Sequence, residues 1–157
     1  MAECPSGAIR TAAAMKHYAL LVESIEATVA HLHGSAGLEF RSPARIPFLL
    51  AGHDETYEHE VRACYTVDMS VELVETADRG PFAGAHRFGL HHYGGVVGDL
   101  EAAIDGQRSL GNDVEWELSY DGQLVAVFFA GSQSLPGRLE LVSGQAPPLL
   151  DMFAEAR

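Results

Sequence analysis

The stretch HYGGVVGDLEAAID, residues 92–105, echoes HYALLVESIEATVA, residues 17–30. Each begins His-Tyr, continues through a small or apolar run, reaches a polar hinge and enters an Ala-rich amphipathic stretch. A second echo lies downstream: VELVE at 71–75 and LELVS at 139–143 each carry a glutamate second, between apolar neighbours. The order His…Glu…His…Glu therefore recurs as two halves of one chain, and a repeat of this kind decides architecture before any local propensity does.

Working outward, residues 15–22 and 91–97 are short, apolar runs that read as strands. Ser24 and Asp99 suit helix N-caps, because their side-chain oxygens can accept from the first free amides. Helices are predicted over 25–33 and 100–109, with Gly34, Gly37 and Gly111 as C-terminal breakers. Three strands are predicted after each helix: near 38–41, 59–66 and 69–75 in the first half, and 113–119, 122–129 and 136–143 in the second. Asp121-Gly122 and Pro136-Gly137 supply turn chemistry. Residues 43–58, with Pro43, Pro47 and Gly52, form the largest irregular segment, read equally as a loop over a site or as an insertion.

The chain so divided has a flexible leader over 1–14 (Met15 being an alternative start), a first βαβββ module over 15–76 and a linker over 77–90. A second βαβββ module covers 91–143. A tail over 144–157 carries Leu149, Leu150, Met152 and Phe153 in the pattern of a short amphipathic helix. The fold class is α+β, with the two modules forming one curved mixed sheet.

Composition excludes several roles. The 157 residues hold 10 Lys and Arg against 22 Asp and Glu, a net charge of −12. That surface disfavours nucleic acid, whose phosphates need a basic face, and anionic membranes for the same reason. No apolar run approaches the ~20 residues needed to cross a bilayer. Cys4 and Cys64 do not make a disulfide framework; Cys64, in an apolar run, reads as a small core residue. A reducing, cytoplasmic location is expected.

Side chains alternate across a strand. His17, Ala19 and Leu21 share one face, as do His92, Gly94 and Val96; Glu72 goes with Val74, and Glu140 with Val142. If the halves pack as pseudo-symmetric parts of a curved sheet, two imidazoles and two carboxylates can point into one cleft. Unpartnered buried carboxylates cost several kcal/mol, and a divalent cation is the simplest partner for this set. Nitrogen and oxygen donors without thiolate suit Zn, Ni, Co, Fe or Mn. Four ligands on an octahedral ion leave two adjacent positions for a substrate with neighbouring oxygens. His31, His33, His53, His59 and His86 have no partner in the repeat register and receive no role.

The segments GLHHYGGVVGDLEAAI (89–104), HYALLVESIEAT (17–28), VELVE and RLELVS resemble the vicinal oxygen chelate superfamily, the glyoxalase/bleomycin resistance/dioxygenase group. The likeness spans most of 15–143 and points within that group to the methylmalonyl-CoA epimerase and glyoxalase-like branches. It implies a metal held by His17, Glu72, His92 and Glu140, on the first and last strands of each module. His91 competes with His92; the repeat aligns His92 with His17, so His91 is expected to face away from the metal. The resemblance further implies catalytic carboxylates at Glu140 and Glu72 and a homodimer.

The expected function is a divalent-metal-dependent isomerase, epimerase or lyase acting through an enolate on a small molecule that chelates through vicinal oxygens. The linker before His91-His92 is compressed relative to the epimerase pattern, and CoA would need basic partners, for which Arg41, Arg45, Arg79 and Arg87 are candidates. Tailoring or cyclisation of a natural product is an alternative. So is a metal-free protein that binds an antibiotic or metabolite. A ring-cleaving dioxygenase, with two histidines and one carboxylate on iron, would leave Glu72 as a surplus ligand.

Overall fold

The computed structural model describes residues 14–84, 89–131 and 137–145. Residues 1–13 of the expected leader, the tail helix, Cys4, His86, Arg87 and Pro136 lie outside them, while Ala14, the last residue of that leader, begins the first strand. The elements run β1 (Ala14–Val22), α1 (Ile25–Ala36), β2 (Ala44–Ala51), β3 (Thr56–Tyr65), β4 (Val71–Glu75), β5 (Gly89–Val97), α2 (Leu100–Ser109), β6 (Val114–Tyr120), β7 (Gln123–Phe129) and β8 (Arg138–Ser143). A short 3-10 turn, Gly80–Phe82, interrupts the stretch between β4 and β5. This is βαβββ twice over, an α+β fold.

The eight strands close into a mixed barrel in the order β1-β4-β3-β2-β6-β7-β8-β5. Within each half the first strand is parallel to the last, β1 to β4 and β5 to β8. The halves meet along two antiparallel seams, β1 with β5 and β2 with β6.

Period-two alternation sorts the side chains of β4 and β8. Leu73 and Leu141 point outward, each under the helix of its own half. Leu73 packs with Ile25, Val22 and Cys64, and Leu141 with Leu100, Ala103, Ile104 and Phe129. Glu72 with Val74, and Glu140 with Val142, therefore point into the barrel. Its interior holds Ala19, Leu21, Ile46, Phe48, Leu50, Tyr65, Leu118 and Phe128 among others.

Ser24 and Asp99 cap the helices as expected, accepting from Ala27 N at 3.2 Å and Ala102 N at 2.9 Å. Gly37 ends α1 in the left-handed region at φ 67°, whereas Gly34 lies inside the helix. The hairpin between β6 and β7 turns on Asp121 and Gly122, with φ of 48° and 73°.

Two expectations need correction. Residues 38–41 form no strand beyond an isolated bridge from Phe40 to Thr66. The supposedly irregular segment 43–58 contains β2 and the start of β3. Ile46, Phe48 and Leu50 are buried while Arg45, Pro47 and Leu49 face outward, so the alternation outweighed the two prolines. Pro47 is tolerated because β6 joins β2 only from Leu49 to Ala51, which leaves no partner strand on that side of Pro47. No helix among the described residues is long and apolar enough to cross a membrane.

Candidate metal centre

The β1–β5 seam carries two one-residue bulges. Met15 pairs with Gly95 and His17 with Gly94, so Lys16 is extra on β1; Ala19 pairs with His92 and Leu20 with Leu90, so His91 is extra on β5. Both bulges immediately precede the repeated His-Tyr, and bulges re-aim neighbouring side chains. Between them Tyr18 faces Tyr93 edge-on at 5.6 Å, while His17 and His92 enter the barrel. Each histidine lies opposite a small residue, Gly94 or Ala19. A Cβ on Gly94 would overlap the ring of His17, so the absence of a side chain there is what admits the imidazole. Parallel pairing sets Glu72 beside Ala19 and Glu140 beside Gly94.

Four donors thereby converge. The Nε2 atoms of His17 and His92 are 3.0 Å apart. Glu72 Oε2 lies 3.2 Å from His17 Nε2 and 3.1 Å from His92 Nε2; for Glu140 Oε2 the distances are 3.2 and 3.3 Å. One ligand atom from each of the four residues lies within 4.8 Å of all the others. All four side chains are buried, the histidines 1% exposed and the glutamates 5%. Despite these short distances, among the described residues Glu72 Oε2 has no well-formed hydrogen bond, and neither has His17 Nδ1. The four donors crowd around a common point. Edges near 3 Å around a point match ligand bonds of roughly 2.0–2.2 Å, those of a zinc-like ion.

The electrostatics agree. Burial is the largest single influence on His17 and lowers its affinity for a proton, but Glu140 and Glu72 together outweigh it and raise its pKa to about 10. His92 is raised against the same opposition from burial, chiefly by Glu140. Burial likewise opposes ionisation of Glu72 and Glu140, yet the two histidines hold both carboxyls below their usual range. The cluster thus supplies two carboxylates and two imidazoles that a cation can take over by displacing protons.

Around it the halves differ. Tyr65 on β3 is the cross-strand neighbour of Glu72, and Phe128 on β7 is that of Glu140. The Tyr65 hydroxyl, whose ionisation burial and the Glu72 charge both suppress, hydrogen-bonds Glu72; Phe128 offers Glu140 no donor. His91, expected to face away from the metal, is not among the four converging donors, yet it is buried rather than exposed to solvent. Its bulge turns it inward behind His92, with Nδ1 2.8 Å from His92 Nδ1 and Nε2 2.6 Å from Pro81 O. Arg138, held by Glu115 through two 2.8 Å bonds, approaches His91 Nε2 at 3.3 Å. Tyr65, His91, Arg138 and Glu115 were not singled out for these contacts in the sequence. The only signal was the His-His doublet, which read as a choice of ligand rather than as two functional histidines.

The family model described as Glyoxalase/Bleomycin resistance protein/Dioxygenase superfamily matches residues 16–129. Among solved structures the chain is similar to methylmalonyl-CoA epimerase from Mycobacterium tuberculosis, at 16% identity and a TM-score of 0.57, with 87% of this chain and 91% of that chain covered. A variant of the Streptomyces coelicolor methylmalonyl-CoA epimerase in complex with 2-nitronate-propionyl-CoA aligns at 18% identity and a TM-score of 0.53, covering 84% of this chain and 97% of that one. A hypothetical protein from Bacillus halodurans C-125 aligns at 16% identity and 0.57, over 87% and 97%. No curated protein matches the chain in sequence.

Proposed function

The chain belongs to the glyoxalase/bleomycin resistance/dioxygenase superfamily, and from that premise we propose that it is a divalent-metal-dependent enzyme of the isomerase, epimerase or lyase type, working through an enolate. The convergence of four buried donors carries this reading. His17, Glu72, His92 and Glu140 would hold the ion. A divalent ion in that site supplies Lewis acidity to a substrate that chelates through two neighbouring oxygens.

Proton handling falls to the carboxylates. Glu140 is the better base, because its cross-strand neighbour Phe128 offers it no hydroxyl, while Tyr65 restrains Glu72. With a carboxylate from each half, one can take a proton from the carbon beside the carbonyl and the other return it. The packed apolar and aromatic interior excludes water around the reacting carbon. A metal-free binding role has no use for two carboxylates buried against two imidazoles.

The substrate we favour is compact rather than a CoA conjugate, as in a natural-product tailoring step. Of the arginines available for CoA phosphates, Arg45 faces Glu60 at 3.1 Å, Arg79 faces Glu55 at 3.9 Å and Arg41 donates to Val67 O at 3.0 Å.

Elemental analysis of purified wild type and His92→Ala tests the site: about one divalent ion per chain is expected in the first and a large loss in the second. Deuterium exchange from solvent into the acidic C–H of a chelating dicarbonyl tests the chemistry. Glu140→Gln should slow it by roughly 10²–10⁴-fold. Equal metal in both proteins, or exchange indifferent to Glu140, would overturn the assignment.

A further inference from the structure

We propose that His91 is a positioning residue that holds a proton on Nδ1 of His92 and so leaves Nε2, the nitrogen that faces the cluster, for the metal. The inference rests on the reading of His92 as a metal ligand. It follows from counting protons along one chain of contacts.

A backbone carbonyl oxygen only accepts, so the 2.6 Å approach of His91 Nε2 to Pro81 O places a proton on that nitrogen. A neutral imidazole carries one N–H, so His91 Nδ1 is then a lone pair. It lies 2.8 Å from His92 Nδ1, a distance at which two lone pairs cannot face each other. The proton between them belongs to His92, which donates from Nδ1. The nitrogen left to give up its proton to a metal is then Nε2, the one that faces the cluster.

The rest of the surroundings hold His91 in that state. The Arg138 guanidinium donates to Pro81 O at 3.4 Å, the same carbonyl that takes the Nε2 proton; standing 3.3 Å from Nε2 it opposes a second positive charge on the ring, and it is anchored from behind by Glu115. Phe82 stacks on the ring at 5.3 Å and Phe128 meets it edge-on at 5.7 Å, so the ring cannot turn over without displacing both. The arrangement is peculiar to the second half. The residue in the equivalent bulge of the first half is Lys16, which is exposed, and among the described residues His17 Nδ1 has no partner. The two histidines are chemically unequal, and His92 is the one whose Nδ1 proton is held in place.

Two measurements test this. Nitrogen-15 spectra of histidine-labelled wild type, with the His92 signals assigned by His92→Ala, should show His92 protonated at Nδ1 both without metal and with zinc, and Nε2 stripped of its proton once zinc is bound. A His92 without a proton on Nδ1 in either state would overturn the proposal, with no variant needed. Competition for zinc against a chromogenic chelator gives the second readout. His91→Phe keeps the stacking and removes the acceptor, and should weaken zinc binding about 10–100-fold. His91→Asn restores an acceptor oxygen and should recover most of that loss. Equal affinity in wild type and a folded His91→Phe would refute the role of His91 and leave the metal site standing. A wild type that binds no zinc would instead sink the proposed function, with the tautomer measurement still deciding the inference.

Discussion

A methyl group added at Gly94 has nowhere to go but the ring of His17. Gly94→Ala should therefore cost about 1–3 kcal/mol, the usual penalty of overpacking, and should also strip the site of metal. Thermal denaturation and metal content measured together check this; loss of stability with full metal occupancy would contradict it. The cluster also sets a pH dependence. His17 is raised from 6.5 to about 10, so its contribution to the metal-free fold is complete below about pH 6.5 and is lost as pH rises through about 10. Glu140 is lowered from 4.5 to about 2, so its contribution is present above about pH 4.5 and is lost as pH falls through about 2. A cation must displace the imidazole protons, so its affinity climbs with pH. The rise in melting temperature on adding zinc should be larger near pH 8 than near pH 6, and removal by a chelator should reverse it; a gain that shrinks with pH would contradict the protonated cluster. The repeat alone names the four residues that the fold gathers. It does not name Tyr65, Arg138 or Glu115, because cross-strand neighbours depend on register. Nor does it reveal the inward turn of His91, because a bulge leaves no mark in a pattern of period two.

At the scale of the element, caps and alternation explain what could be read. Ser24 and Asp99 precede apolar helix starts and cap as their chemistry dictates. Ser24→Ala should destabilise the protein by about 1 kcal/mol in chemical denaturation while leaving metal content unchanged, since α1 packs outside the barrel wall. A change in metal content would mean that the helix positions Glu72 more directly than its outer packing suggests. β2 was hidden by Pro43, Pro47 and Gly52, which read locally as breakers. The signal that outweighs them, Ile46, Phe48 and Leu50 at every second position, becomes decisive only when an inner face exists to receive them. Gly34 misleads in the opposite sense: tertiary packing of α1 carries the helix past it to Gly37, at a local cost of up to about 1 kcal/mol.

Across the whole molecule, each half contributes one histidine and one glutamate, and the β1–β5 seam that joins them runs from Ala14 to Leu21, its pairing resuming after each bulge. The opposite seam is slighter: β2 and β6 are laced only through Leu49–Ala51 and Glu117–Ser119. In the ring order this seam is diametrically across from β1 and β5. The hoop is thus welded on the side that bears the donors and merely latched on the other. Amide hydrogen exchange should be faster at Leu50 and Leu118 than at Ala19 and Tyr93, and uniform protection of both seams would argue against a latch. Unfastened there, the closed ring would become a trough whose floor is the His–Glu cluster, and a compact molecule would gain an approach to side chains that are nearly sealed in the closed ring.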